Sequence, residues 1–181
     1  ISEPELEKLN NLGQIKHVIR LGDFHGLDDQ FYIDHYQATL WSQSCHVNYP
    51  NLVPHQIIQA DQRPPIKNSE FFIFEQVTCP EAILFIKDKK LLITTDSIQY
   101  WNDWKYFSFL GKVVMYLMGF RLGLFIGGPW LKRVTPKQGS LKSDFTRLLE
   151  LDFQHLVAAH GVLLKDSAKD KLRLLINNLK I

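Results

Sequence analysis

The chain has 181 residues, 45% of them hydrophobic and 22% charged, with a net charge of +2. This balance excludes a disordered chain and suits one globular domain over residues 1–181. No long run of one charge sign and no apolar run of membrane-spanning length is present, so neither nucleic acid nor a membrane is expected as a partner. Cys45 and Cys79 lack CxxC spacing, which argues against a disulfide framework and for a reducing, cytoplasmic setting.

Ser2-Glu3-Pro4-Glu5 reads as a helix start, with Ser2 as cap, Glu5 three residues on and Pro4 in the first turn. Leu6, Leu9 and Leu12 form an apolar stripe that stops at Gly13. Ile15 to Leu21 reads as a buried strand ended by Gly22. A dense run of ionisable groups follows, Asp23-Phe24-His25-Gly26-Leu27-Asp28-Asp29. A short helix over 29–36 and a strand over 38–41 are expected next. Residues 42–65 read as a loop punctuated by Pro50, Pro54, Pro64 and Pro65. Phe71 to Phe74 reads as a strand. Ala82 to Ile86 and Leu91 to Thr95 read as a hairpin around Lys87-Asp88-Lys89-Lys90, with Asp96 at its end. Leu110, Val113, Val114, Leu117 and Met118 have helical spacing, and Gly119 is a natural terminator. A helix over about 143–151, a strand over 156–159 ending in His160-Gly161, and a last helix complete the order. That helix carries Leu172, Leu175, Ile176 and Leu179 on one face, with Asp166 as its cap. The pattern predicts a mixed α/β fold of sheets covered by helices.

Three strand ends therefore carry chemistry: Asp23, His25, Asp28 and Asp29 after the first, Asp96 after the second, His160 after the third. A rigid sheet can aim side chains from such loops at one point. Carboxylates with imidazoles are the ligand set of hydrolytic zinc, manganese or iron. Gly26 and Gly161 would let backbone approach a metal or substrate. Each signal also has a plainer reading. Asp28 or Asp29 would cap the helix that follows; Asp96 would be a turn residue; His160 would bond only to backbone. His17 reads as a sheet-face residue, His35 and His155 as surface or capping residues, and Cys79 as a small buried apolar group. His46 and His55 fall in the proline-rich loop, where His46 is a weak substitute ligand. Trp101, Trp104, Tyr106, Phe107 and Phe109 read as core cover, or alternatively as a wall, lid or partner patch. Lys132, Arg133 and Lys137 read as solvated.

The order of these motifs resembles the metallo-β-lactamase-fold superfamily over roughly residues 15–181. Asp23-Phe24-His25-Gly26-Leu27-Asp28-Asp29 looks like an altered form of its first motif, His-x-His-x-Asp-His. Thr78-Cys79-Pro80-Glu81-Ala82 resembles the segment that brings a His before the hairpin. Leu92-Ile93-Thr94-Thr95-Asp96 resembles the strand with the bridging Asp, and Ala158-Ala159-His160-Gly161 the last ligand. The resemblance implies an αββα sandwich whose two first strands would lie before Ile1. It implies a metal-dependent hydrolase acting on a small-molecule ester, thioester, amide or phosphoester. The metal ligands would come from His25, Asp28, Asp29, Asp96 and His160, holding zinc or another divalent transition metal, as one ion or none. Asp23 and His25 would be catalytic, His25 as a further ligand or water orienter, Asp23 as proton acceptor or second metal position. Asp23 stands where the family has its first His, and Thr78 or Cys79 where it has a later one. The alternative is a non-catalytic relative that binds a partner.

Overall fold

The computed structural model describes residues 1–44, 48–49 and 51–178. In chain order the elements are α1 (Glu3–Leu12), β1 (His17–Ile19), α2 (Asp29–Tyr36), β2 (Thr39–Ser42), β3 (Gln56–Ile57), β4 (Ser69–Ile73), β5 (Ala82–Ile86), β6 (Leu91–Ile93), β7 (Ile98–Trp101), α3 (Phe109–Leu117), β8 (Gly123–Ile126), α4 (Gly128–Val134), α5 (Lys142–Leu148), β9 (His155–Val157) and α6 (Ala168–Asn178). A single 3₁₀ turn, Lys87–Lys89, closes the β5–β6 hairpin.

The expected mixed α/β architecture is present. The central sheet runs β4-β5-β6-β9, antiparallel except for the parallel pair β6–β9. A parallel sheet β1-β2-β3 and a ribbon β7-β8 flank it. Strand alternation explains why β5 is apolar throughout. Ala82 and Leu84 join a cluster with Leu21, Trp41, Ile58 and Phe71, while Ile83 and Phe85 join the main core. Successive side chains point to opposite faces, so a strand covered on both sides cannot show an apolar–polar alternation. The main core is closed by Trp130 and Val134 of α4, Phe145 and Leu148 of α5, and Leu172 and Ile176 of α6.

The capping box of α1 is formed, with the Glu5 carboxylate accepting from Ser2 N and Oγ at 3.0 and 2.7 Å. Its leucine stripe buries nothing, and Leu12 is exposed. The first strand is shorter than its apolar run. The 42–65 loop contains the two-residue strand β3, while β7, β8 and α4 arise where the sequence showed only aromatic and glycine-rich text. Asp166 does not cap the last helix; it has φ +61° and its N–H donates to His155 Nδ1 at 3.0 Å. Leu179, Cys45 and His46 lie outside the described residues. Among the described residues no helix is long and apolar enough to cross a membrane.

Leu156, fully buried in β9, ties the central sheet to the core. Leu156→Ala is expected to lower the unfolding free energy by about 2–5 kcal/mol, from lost transfer energy plus a cavity. Urea denaturation monitored by tryptophan fluorescence measures it.

Candidate metal centre

The side chains of His25, Asp96 and His160 converge. The paired positions of β6 and β9 end at Ile93 and Val157, and Asp96 and His160 each stand three residues beyond. The turn after β6 is held by Thr94, whose Oγ1 donates to Ile98 O at 2.7 Å and whose N–H donates to Val157 O at 2.9 Å. Behind it Gly127 packs so close that a Cβ there would lie 2.2 Å from Asp96 O. His160 is fixed by the following turn. Gly161 has φ +94°, and a Cβ on it would lie 2.2 Å from Tyr100 O. That carbonyl accepts from Val162 N at 2.9 Å. Glycine's conformational freedom is thus needed beside the histidine, although for strand contact rather than for ligand approach.

His25 comes from the loop after β1. That loop is anchored where Ala82 N–H donates to Leu21 O at 2.8 Å and Gly22 bridges Glu81. Its Nε2 lies 2.9 Å from Asp96 Oδ2, and His160 Nε2 lies 3.5 Å from Asp96 Oδ1. One ligand atom from each residue falls within 4.8 Å of the others. The 2.9 Å approach is not an aligned hydrogen bond: His25 Nε2 and Asp96 Oδ2 are both buried atoms without a hydrogen-bond partner. Two buried polar atoms in ion-pair contact without aligned hydrogen-bond geometry suit a shared cation that satisfies both. Two imidazoles and a carboxylate suit zinc or iron(II), so the donor set fits a divalent transition metal. The imidazole rims are about 40% exposed, which leaves the solvent side open. The Asp96 carboxylate holds the His25 imidazole above its ordinary pKa, against the opposing cost of burial. Gln99, itself buried, reaches Asp96 Oδ1 with Nε2 at 3.4 Å and accepts from Trp101 Nε1 at 3.1 Å. Such outer contacts orient a ligand.

The other acids of the first motif are occupied elsewhere. Asp23 is buried and its Oδ2 accepts from Arg133 at 2.6 Å, with Asn48 N–H at 3.3 Å from both oxygens. Arg133 also lies over the Phe24 ring, so it is not simply solvated. Asp29 is paired with the buried Arg20 at 2.6 Å. Asp28 takes the N-cap position of α2 without a side-chain cap bond and is exposed. None of the three belongs to the convergent group. Gly26 serves Arg20, since a Cβ there would lie 2.9 Å from Arg20 Nε. Cys79 packs at the edge of the main core. His17 and His55 each accept one hydrogen bond, from Trp41 Nε1 and Leu40 N, and His35 stacks on Phe31.

Glu81 was not singled out by sequence reading. It is buried beneath Gly22, its Oε1 accepts from Thr95 Oγ1, and it thereby joins the loops that carry His25 and Asp96. Burial pushes its pKa up to about 8, opposed by the Thr95 hydroxyl and reinforced by Asp96 and Asp23. The available signal was a lone acid at the mouth of an all-apolar strand.

No family model matches the chain, and no curated protein matches it in sequence. Solved structures do match in shape. A metallo-β-lactamase from Pontibacter korlensis is 15% identical, with a TM-score of 0.59 over 98% of this chain and 79% of that one. The flavodiiron protein from Giardia intestinalis is 14% identical, with a TM-score of 0.57 over 96% and 44%. The apo chemotaxis sensor ODP from T. denticola is 11% identical, with a TM-score of 0.60 over 99% and 78%. The chain therefore has the metallo-β-lactamase fold.

Because the folded pKa of Glu81 is raised, the folded chain keeps a proton that the unfolded chain releases. Its contribution to stability is full below pH 4.5 and is lost as pH rises to about 8. Glu81→Gln is expected to remove a fall of up to about 1.4 kcal/mol per pH unit across that window. Urea denaturation of both proteins at pH 5, 6.5 and 8 measures the difference in slope.

Proposed function

We propose that this chain is a metal-dependent hydrolase whose single divalent ion is held by His25, Asp96 and His160. The observation that carries the reading is the close approach of His25 Nε2 and Asp96 Oδ2 without an aligned hydrogen bond, beside a second imidazole. A divalent ion there supplies Lewis acidity and water made acidic enough to ionise near neutral pH. The chain's own residues do the rest. His25 and His160 present Nε2 to the two carboxylate oxygens of Asp96, with their rings 5.0 Å apart. Gln99 holds the carboxylate in place, and the Glu81–Thr95 contact keeps the two loops in register. The exposed rims of the two imidazoles leave a solvent-facing side at which a small ester, thioester, amide or phosphoester would approach.

A single ion is favoured over a pair because the carboxylates of the first motif are engaged by guanidinium groups, Asp23 by Arg133 and Asp29 by Arg20. Asp23 is accordingly a positioning residue in this reading. The names of two structural neighbours, a metallo-β-lactamase and a flavodiiron protein, denote metal-bearing proteins and support the metal-binding part of this reading.

Protein purified without chelator and dialysed against zinc, manganese or iron(II) is expected to hold close to one ion per chain, measured by plasma mass spectrometry. Asp96→Ala and His160→Ala each remove it, whereas Asp28→Asn does not. Because the ion must displace a proton from His25, affinity falls as pH is lowered. Failure to bind any of the three metals sinks the reading. Stoichiometric binding without turnover of an ester and phosphoester panel would leave the non-catalytic binding domain in its place.

A further inference from the structure

Helix α3 stands almost unsupported on the surface. It contains no buried residue, although Phe109, Leu110, Val113, Val114, Tyr116 and Leu117 are apolar or aromatic. Phe109, Leu110 and Leu117 are 85%, 71% and 78% exposed. A contiguous apolar face of this kind marks an interaction surface. Its charge is one-sided. Residues 104–121, the helix and its immediate flanks, contain Lys105, Lys112 and Arg121 and no Asp or Glu. Lys105 has Asp103 within 3.7 Å, but Lys112 and Arg121 have no carboxylate partner among the described residues. Arg121 closes the helix end, donating to the Tyr116 and Phe120 carbonyls at 2.6 and 2.7 Å while lying 3.9 Å over the Tyr116 ring.

We propose that α3 with its basic flanks docks in the plane of an anionic lipid bilayer. The helix has nine residues, about 14 Å at 1.5 Å per residue, far short of the roughly 30 Å hydrocarbon core, so it lies in the interface and does not cross it. Apolar side chains enter the acyl boundary, tyrosines sit at headgroup level, and Lys112 and Arg121 meet lipid phosphates and carboxylates. The expectation of no membrane partner rested on the lack of a spanning segment, which an in-plane helix does not need. A second copy of the chain is the poorer occupant, because apposing two such faces brings like charges together without a compensating carboxylate. The docking is independent of metal binding.

Flotation of the full chain with phosphatidylcholine vesicles, with or without phosphatidylserine, tests the assignment. Wild-type protein floats with the phosphatidylserine vesicles, floats poorly with phosphatidylcholine alone, and is released by high salt. Lys112→Gln weakens binding roughly fivefold, the share of one cation near the surface. Leu110→Glu/Leu117→Glu abolishes it. Both variants should keep the wild-type circular dichroism and melting temperature, since the altered side chains are exposed. The proposal is overturned if wild-type protein stays unbound with anionic vesicles, or if either folded variant floats as well as wild type. A dimer in sedimentation that Leu110→Glu/Leu117→Glu dissociates, without flotation of wild type, overturns it in favour of self-association.

Discussion

Parallel pairing of β6 with β9 is the contact on which the candidate centre rests. The two strands are distant in sequence, and each leaves the sheet in the same direction with its last paired residue level with its partner's. Residues at equal distance beyond those ends are then brought side by side, which is how Asp96 and His160 come to share one point. A one-residue slip would turn the β9 side chains to the opposite face and exchange its core and loop positions. The slip is opposed by Leu156, whose burial is possible in one register only.

His25 arrives by a different route. It is brought by a loop that touches the central sheet through backbone at Leu21–Ala82 and through the buried Glu81. A carboxyl group kept neutral by burial can sit between loops where an ionised one would bear a large desolvation cost. Glu81 can therefore lie near Asp23 and Asp96 without a counter-ion of its own, and its contact with Thr95 links the His25 loop to the Asp96 turn.

The parts legible in the sequence are those governed by local rules. The capping box of α1, the β5–β6 hairpin and the glycine stop after α3 follow from side chain and backbone preferences over a few residues. The strand ends bearing His25, Asp96 and His160 were legible as positions, because apolar runs ended there. Their distances were not, since they depend on the pairing of strands some sixty residues apart. The β7–β8 ribbon escaped notice because its second strand, Gly123–Ile126, lies in a stretch where apolar residues and glycines show no period. The fates of Asp23 and Asp29 were hidden for another reason. An acid in a motif looks the same on paper whether a metal or an arginine faces it, and Arg20 and Arg133 face these two only after folding.

Those two arginines also bear on how much positive charge the region accepts. Each places a full, permanent cation on a carboxylate that would otherwise be free to bind metal. At the low effective dielectric of a partly buried site, a second divalent ion close to a guanidinium is opposed by direct repulsion. Asp96, by contrast, has no guanidinium or ammonium partner among the described residues and faces two imidazoles, groups that can bind a metal through a lone pair. The distribution of fixed and removable positive charge thus separates the corner built for a cation from the corners already filled by one. On the proposed reading this asymmetry, more than the number of histidines, sets the metal count of the fold in this chain.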